Sequence, residues 1–503
     1  MANASAGDPA APGRRPSGPR PFALALLGWG FLELLCLVAL RIVAARDGLE
    51  YRRLEDFFGP EERASLAKFL REGEGFYYRP DPDLGWVPRP STHVPAMGAY
   101  QPTTTNTRGL RSLREYADAP PPGVLRVEAF GDSFVHGDEV DDASNWAAVL
   151  ERSHPGLEVM NFGASGYGPD QALLRWERDG RPLRPHLVLI GFMTENLGRT
   201  LNVFRPFYTP QTAMRLTKPR FTIDDGRLVL LPAPLRTLAD YRRLLDAPAA
   251  TLEVLGREDV WYQRSGWHPG TPLDFLASVR LLLLGRRVAL RALDPWAYET
   301  SFAPRGIAFR VTEGVLARFA ESVRASGSSP VVVFFPNRND LQRRREGRPE
   351  LSAELAEALR RRGIETVDLL ESIHAGTSAM PLDRVFGSVH YSVATNAVVA
   401  RALGEVVERH RPETPAARTP SPSPRRPATT TLGPGVEPAG HRSTRPRSQC
   451  LQRSAWLPLF SQSERVPDRS MPEPSEKSPV IGPRGCGAPV TATGSFFAAT
   501  DTL

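Results

Sequence analysis

The run Val124-Leu-Arg-Val-Glu-Ala-Phe130, followed at once by Gly131-Asp132-Ser133-Phe134, has the form of a buried strand ending in a tight turn into a helix. Working outward, Ser144 to Arg152 carries Trp146, Val149 and Leu150 at helical spacing and stops at His154-Pro155-Gly156. Leu157 to Asn161 is a second strand, and a glycine-rich loop follows it, Phe162-Gly163-Ala164-Ser165-Gly166-Tyr167-Gly168. Pro169 suits the first turn of a helix running to about Arg178. His186 to Phe192 is a third strand. Downstream, Glu313 to Ala325 reads as helix, Pro330 to Phe335 as strand, Leu351 to Arg362 as helix, Ile364 to Leu369 as strand and Ala394 to His410 as a closing helix. This alternation predicts a parallel sheet covered on both faces by helices. Ligands of such sheets bind at the carboxyl ends of the strands.

The interval from 197 to 312 breaks the rhythm. It is rich in Trp, Tyr, Phe and Arg and contains a hairpin signal, Phe221-Thr-Ile-Asp224-Asp225-Gly226-Arg-Leu-Val-Leu-Leu231. It reads as an insertion or cap over the strand ends.

The two ends of the chain differ from its middle. Residues 1–20 hold Arg14, Arg15 and Arg20, and Phe22 to Leu40 is an apolar run broken only by Glu33. As a helix that run reaches about 28 Å, close to a bilayer core of roughly 30 Å. Residues 21–45 therefore read as a transmembrane signal anchor, with 1–20 as a short cytoplasmic segment. Val43-Ala44-Ala45 offers the alternative of a cleaved signal, but the run is long for one and Arg41 precedes the site. Residues 46–120 form an extension before the main domain, 121–410. From 411 to 503 no hydrophobic period persists, and that stretch holds 16 of the 49 prolines, so it reads as a disordered tail.

At 503 residues the length alone allows two to four domains. The net charge of +7 is mostly tail, which carries 12 basic and 7 acidic residues. A nearly neutral folded region argues against nucleic-acid binding. Three cysteines, none between 37 and 449, leave no thiolate metal site or cysteine nucleophile there. No metal-ligand spacing and no phosphate loop stands out, so no cofactor is expected.

The chemistry-bearing residues sit at the strand ends. Ser133, at a strand-to-helix turn, is placed to be exposed beside backbone N–H groups that could bind an oxyanion. Gly163 N–H follows the second strand and Asn196 the third. His390, in Phe386-Gly387-Ser388-Val389-His390-Tyr391-Ser392 before the last helix, could accept a serine proton. Asp132 reads as a local cap and His136 as structural or exposed. Asn337-Arg338-Asn339-Asp340 reads as a loop touching substrate, and His374 as a loop residue.

Taken together these blocks resemble the SGNH (GDSL-type) hydrolase family, over about 120–200 and 312–410. Tyr78-Arg79-Pro80-Asp81-Pro82-Asp83-Leu84-Gly85-Trp86 and Thr105-Asn106-Thr107-Arg108-Gly109-Leu110-Arg111 are similar to stretches of its membrane-anchored bacterial members. The resemblance implies a flavodoxin-like, three-layer α/β/α fold with a parallel sheet. It implies Ser133 as nucleophile, His390 as general base, and Ser133 N–H, Gly163 and Asn196 as the oxyanion hole. The usual aspartate three residues before the histidine is Gly387 here, which leaves Asp383 as the substitute acid or a Ser–His dyad. The aspartate that usually follows the third-block asparagine is replaced by Leu197. The implied activity is hydrolysis of a short acyl ester, such as acetyl on a cell-surface glycan, outside the membrane. The alternatives are an O-acyltransferase acting on polysaccharide and a catalytically silent envelope component.

Overall fold

In the computed structural model, residues 20–47, 50–72, 77–209, 212, 214–265, 267–293 and 300–411 are described. The expected cytoplasmic segment, except Arg20, and the expected tail beyond Arg411 lie outside them.

Five strands form one parallel sheet: β1 (Leu125–Phe130), β2 (Leu157–Asn161), β3 (Leu187–Phe192), β4 (Ser329–Phe334) and β5 (Glu365–Asp368), in the order β2-β1-β3-β4-β5. The fold is therefore mixed α/β with a flavodoxin-like strand order. All side chains of β1, β2 and β3 are buried. β3 accordingly reads as a continuous apolar run, whereas β1 and β2 also bury charged side chains, Arg126, Glu128 and Glu158. Alternate residues feed two cores. Phe130, Ile190, Phe192 and Phe334 pack beneath α4 (Pro169–Arg175), α6 (Ile307–Ala325) and α8 (Ala353–Arg361). Val127, Ala129, Leu189 and Val333 pack on the other face against α3 (Trp146–Ser153) and α9 (Val393–Arg409).

The remaining helices named below are α1 (Arg20–Asp47), α2 (Ser133–His136), α5 (Asn196–Arg199) and α7 (Arg338–Arg345). Among the described residues, α1 is the one helix long and apolar enough to cross a membrane. Phe22, Leu24 and Leu27 on it are about 70% exposed. Glu33, the one acid within its apolar run, accepts the N–H of Ser278 at 3.1 Å.

The insertion contains the expected hairpin, Arg220–Asp224 with Arg227–Leu231, and helices including Leu238–Asp246, Pro248–Arg257 and Ala277–Leu293. It shares a third core with the extension: Leu54, Phe58 and Trp86 pack with Phe204, Phe207 and Tyr241, and with Ala164 and Tyr167 of the glycine-rich loop. The hairpin Tyr78–Asp81 with Gly85–Pro88 is bound to that loop directly. Trp86 Nε1 donates to Ser165 O at 3.0 Å, and Tyr167 Oη donates to Trp86 O at 2.5 Å. Extension and insertion thus form a common buttress behind the loop that follows β2.

Candidate active site

The site lies at the carboxyl end of β1, where the strand order switches direction, as expected of an open α/β sheet. Asp132 is the N-cap of α2, its Oδ1 accepting Phe134 N–H at 2.9 Å. Ser133 is thereby the first residue of the helix. Its N–H is one of the donors a helix start leaves without an internal acceptor, and no described residue takes it. Ser133 is 6% exposed and its hydroxyl has no hydrogen-bond partner among the described residues.

His390 comes from a tight turn closed by Gly387 N–H to His390 O at 2.8 Å and by the Phe386–Tyr391 bridge. Its imidazole lies against Phe134, the neighbour of Ser133, with ring centroids 5.0 Å apart. Nδ1 faces Glu139 Oε1 at 3.0 Å. Nε2 has no partner among the described residues. The free carboxylate oxygen of Glu139 accepts Ser388 N–H at 2.7 Å, with Val389 N–H at 3.1 Å and His390 N–H at 3.3 Å. Three successive N–H groups form an anion nest, and Glu139 fills it. A Cβ added to Gly387 would lie 2.7 Å from Glu139 Oε2. Glu139 therefore occupies the space that a side chain at position 387 would need.

This corrects the expectation for Asp383. Asp383 lies on the exposed face of the short helix Leu382–Val385 and pairs with Arg338 at 2.6 Å, away from the imidazole. The sequence did hold a signal for Glu139. With no acid at 387, a carboxylate had to come from another segment, and the first block carries two immediately after α2. Glu139 adopts φ +69°, uncommon for a non-glycine residue and typical of strain held at functional sites.

The charges follow from these contacts. Burial pushes the Glu139 carboxyl up, but the His390 hydrogen bond and charge and the backbone N–H groups hold it below its ordinary value. Burial pushes His390 down, but the Glu139 hydrogen bond and the Asp138 and Glu139 charges raise it above 6.5.

Two of the expected oxyanion donors are spent internally. Gly163 N–H donates to Asn161 Oδ1 at 2.9 Å. Asn196, the first residue of α5, donates through Nδ2 to Asp132 Oδ2 at 2.8 Å and accepts Met193 N–H at 2.9 Å. Both residues brace the nucleophile turn: Asn161 Nδ2 also reaches Val135 O at 2.8 Å, and a Cβ at Gly163 would lie 2.3 Å from His136 N. Arg199 adds to the brace through Asp132 Oδ2 at 3.2 Å and Glu195 Oε1 at 3.1 Å. Of the three donors expected, Ser133 N–H alone stands without a partner among the described residues.

His136, expected to be structural or exposed, is buried. Its Nδ1 meets Asp138 Oδ1 at 2.5 Å and its Nε2 meets Tyr77 Oη at 2.7 Å. Asp138 also accepts Ser165 Oγ–H at 2.6 Å, and Ser165 accepts Tyr78 Oη–H at 2.8 Å. This network ties the extension to the first two blocks. Arg111 strengthens it by donating to His136 O at 3.0 Å and to Gly137 O. Asn337 and Asp340 are not substrate-facing loop residues: they form the capping box of α7, and Asp340 accepts Thr194 Oγ1–H at 2.8 Å. His374 lies in the helix Leu370–Gly376, not in a loop. Among the described residues no group of His, Cys, Asp and Glu could hold a metal ion.

No protein-family model matches the chain, and no curated protein matches it. Solved structures similar to it include a lipolytic protein of the G-D-S-L family from Desulfitobacterium hafniense, at 11% identity and TM-score 0.26, over 56% of this chain and 99% of that one. A lipase/acylhydrolase from Enterococcus faecalis matches at 12% identity and TM-score 0.28, over 57% and 97%. A catalytic mutant of an acetylxylan esterase from Geobacillus stearothermophilus matches at 13% and 0.30, over 57% and 96%.

Proposed function

We propose that the protein is a serine esterase that cleaves short acyl esters, such as acetyl groups on a cell-surface glycan. In this reading α1 anchors it and the α/β domain lies on the extracytoplasmic side. The observation that carries the proposal is the pairing of His390 Nδ1 with Glu139 Oε1 at 3.0 Å, with the imidazole against Phe134, the neighbour of Ser133, and with Nε2 and the Ser133 hydroxyl both without partners among the described residues.

The chemistry follows from that pairing. A carboxylate at Nδ1 fixes the tautomer with the proton on Nδ1, which makes Nε2 the acceptor. Nε2 takes the Ser133 proton as Oγ attacks the ester carbonyl, and the imidazolium is stabilised by Glu139. The negative charge on the carbonyl oxygen develops at the start of α2, where Ser133 N–H is unspent. Collapse expels the alcohol, which takes the proton from Nε2. Water, deprotonated by the same nitrogen, then releases the acid. Ser133 and His390 are only 6% and 7% exposed, and such narrow access favours small acyl groups.

The test is labelling by a fluorophosphonate and turnover of an aryl acetate, comparing wild type with Ser133→Ala. Ser133-dependent labelling and turnover are expected. Folded wild-type protein that shows neither refutes the proposal. Acyl transfer to a glycan acceptor in preference to water would assign the same serine to a transferase.

A further inference from the structure

Arg205 opens the short helix Arg205–Tyr208 and reaches back to the glycine-rich loop. Its Nη1 approaches Gly166 O at 3.4 Å and its Nε donates to Thr212 Oγ1 at 3.2 Å. A guanidinium carries five N–H donors, so most of them are left over. Among the described residues no carboxylate pairs with it. The two acids whose charge reaches it, Glu195 and Asp132, are already bonded to Arg199, at 3.1 Å and 3.2 Å. The other acids of the site are committed as well, Asp138 to His136 and Ser165, and Glu139 to His390 and its nest. Burial and the like charge of Arg199 push Arg205 down to about 10, still protonated at neutral pH. Its charge is felt at Asp132, beside the nucleophile, and at the half-exposed Tyr100, whose phenol also feels Asp138 and Glu139. Arg205 is thus a partly desolvated cation beside the glycine-rich loop, with no carboxylate in ion-pair contact among the described residues and only a share in the field of Glu195 and Asp132, which Arg199 already binds.

We propose that Arg205 is a subsite for an oxyanion carried by the substrate, so that the esters cleaved here belong to acidic molecules such as O-acylated polyuronates. The planar fork matches a carboxylate or a phosphate with two parallel hydrogen bonds. Hydrogen bonds between an ionised guanidinium and an ionised oxyanion are stronger than neutral ones, so a partly desolvated Arg205 gains from the counter-charge that the substrate brings. The proposal rests on the esterase reading of Ser133 and sharpens its substrate class.

The test uses the full-length protein and O-acetylated polygalacturonate in two forms, one with free carboxylates and one methyl-esterified to neutrality. Wild type should show at least a tenfold higher kcat/KM on the acidic form. Arg205→Gln should bring that ratio close to one, and Arg205→Lys should retain part of it. An O-acetylated sugar phosphate turned over faster than both forms, through Arg205, would support phosphate as the oxyanion. Equal rates of wild type on both forms, or a ratio unchanged in Arg205→Gln, overturns the subsite. Binding separates this from the esterase reading. Ser133→Ala should bind deacetylated oligogalacturonate at least tenfold more tightly than Ser133→Ala with Arg205→Gln, whether or not the wild type turns over any ester. Equal binding by the two folded variants also overturns the proposal.

Discussion

Glu139→Gln tests the unusual source of the triad acid. The amide keeps the shape of the side chain but cannot satisfy both of its present neighbours. One carboxylate oxygen meets Nδ1 of His390 and the other accepts the N–H groups of Ser388, Val389 and His390. If the amide nitrogen turns toward His390, Nδ1 must become the acceptor and Nε2 carries the proton, which disables it as a base. If the nitrogen turns toward the nest, it faces three donors. Loss of the acid in a serine triad costs about 10⁴ in kcat, or about 5 kcal/mol of transition-state stabilisation, and a loss of that order is expected here. The assay is aryl-acetate kcat near pH 8, with thermal melts to show that the fold persists. The structure also specifies a rescue. Gly387→Asp alone should crowd Glu139, because the new Cβ would lie 2.7 Å from Oε2. Gly387→Asp combined with Glu139→Ala places a carboxylate in the vacated space and should recover at least 100-fold over Glu139→Ala. Glu139→Gln within threefold of wild type, or a Gly387→Asp single variant faster than wild type, refutes the assignment.

Because Glu139 and Asp138 raise His390 above 6.5, kcat/KM should fall with acid through a midpoint above 6.5, and that midpoint should move down in Glu139→Gln; a pH–rate profile reads both. Glu128, buried in β1 with neither carboxylate oxygen hydrogen-bonded, is raised well above its ordinary value by burial. The folded state therefore holds a proton that the unfolded state releases, and stability should fall as pH rises from about 4.5, by up to about 1.4 kcal/mol per unit. Glu128→Met should melt higher than wild type at pH 8 and flatten that slope in melts taken from pH 5 to 8. Gly163→Ala puts a Cβ 2.3 Å from His136 N and should cost about 3 kcal/mol, seen as a lower denaturation midpoint together with lost activity.

What the sequence disclosed and what it withheld have different physical origins. The strands were legible because short apolar-rich segments bounded by turn signals mark a buried sheet, most cleanly in β3, whereas β1 and β2 also bury Arg126, Glu128 and Glu158. The expected ends of these strands fall within a residue of the observed ones. The placement of Ser133 at a helix start was legible too, because Gly131-Asp132-Ser133 combines a turn with a capping acid. The union of extension and insertion into one core was not, since it depends on contacts such as Phe57 with Phe207 that no local pattern encodes. A motif also names residue types without saying which partners they choose. Gly163 and Asn196 stand at the expected strand ends, yet their donors turn to Asn161 and Asp132.

The triad acid makes the same point from the opposite side. What a serine triad requires is a carboxylate at Nδ1, and the chain can deliver one from any segment that passes close by. Here the turn before α9 lacks a side chain at 387 and leaves three backbone N–H groups unsatisfied. Glu139, six residues after the nucleophile, answers both the imidazole and those N–H groups in one contact set. The arrangement couples the two halves of the site more tightly than an acid on the histidine's own loop would. Base and acid belong to different segments, so the turn around His390 is held against the segment that carries Ser133. Loss of Glu139 should therefore loosen the 387–390 turn as well as misorient the base. Amide hydrogen exchange at Ser388 and Val389 should rise in Glu139→Ala and stay near its wild-type rate in Ser133→Ala. Protection retained at both amides in Glu139→Ala would show that the nest is held by something other than this carboxylate.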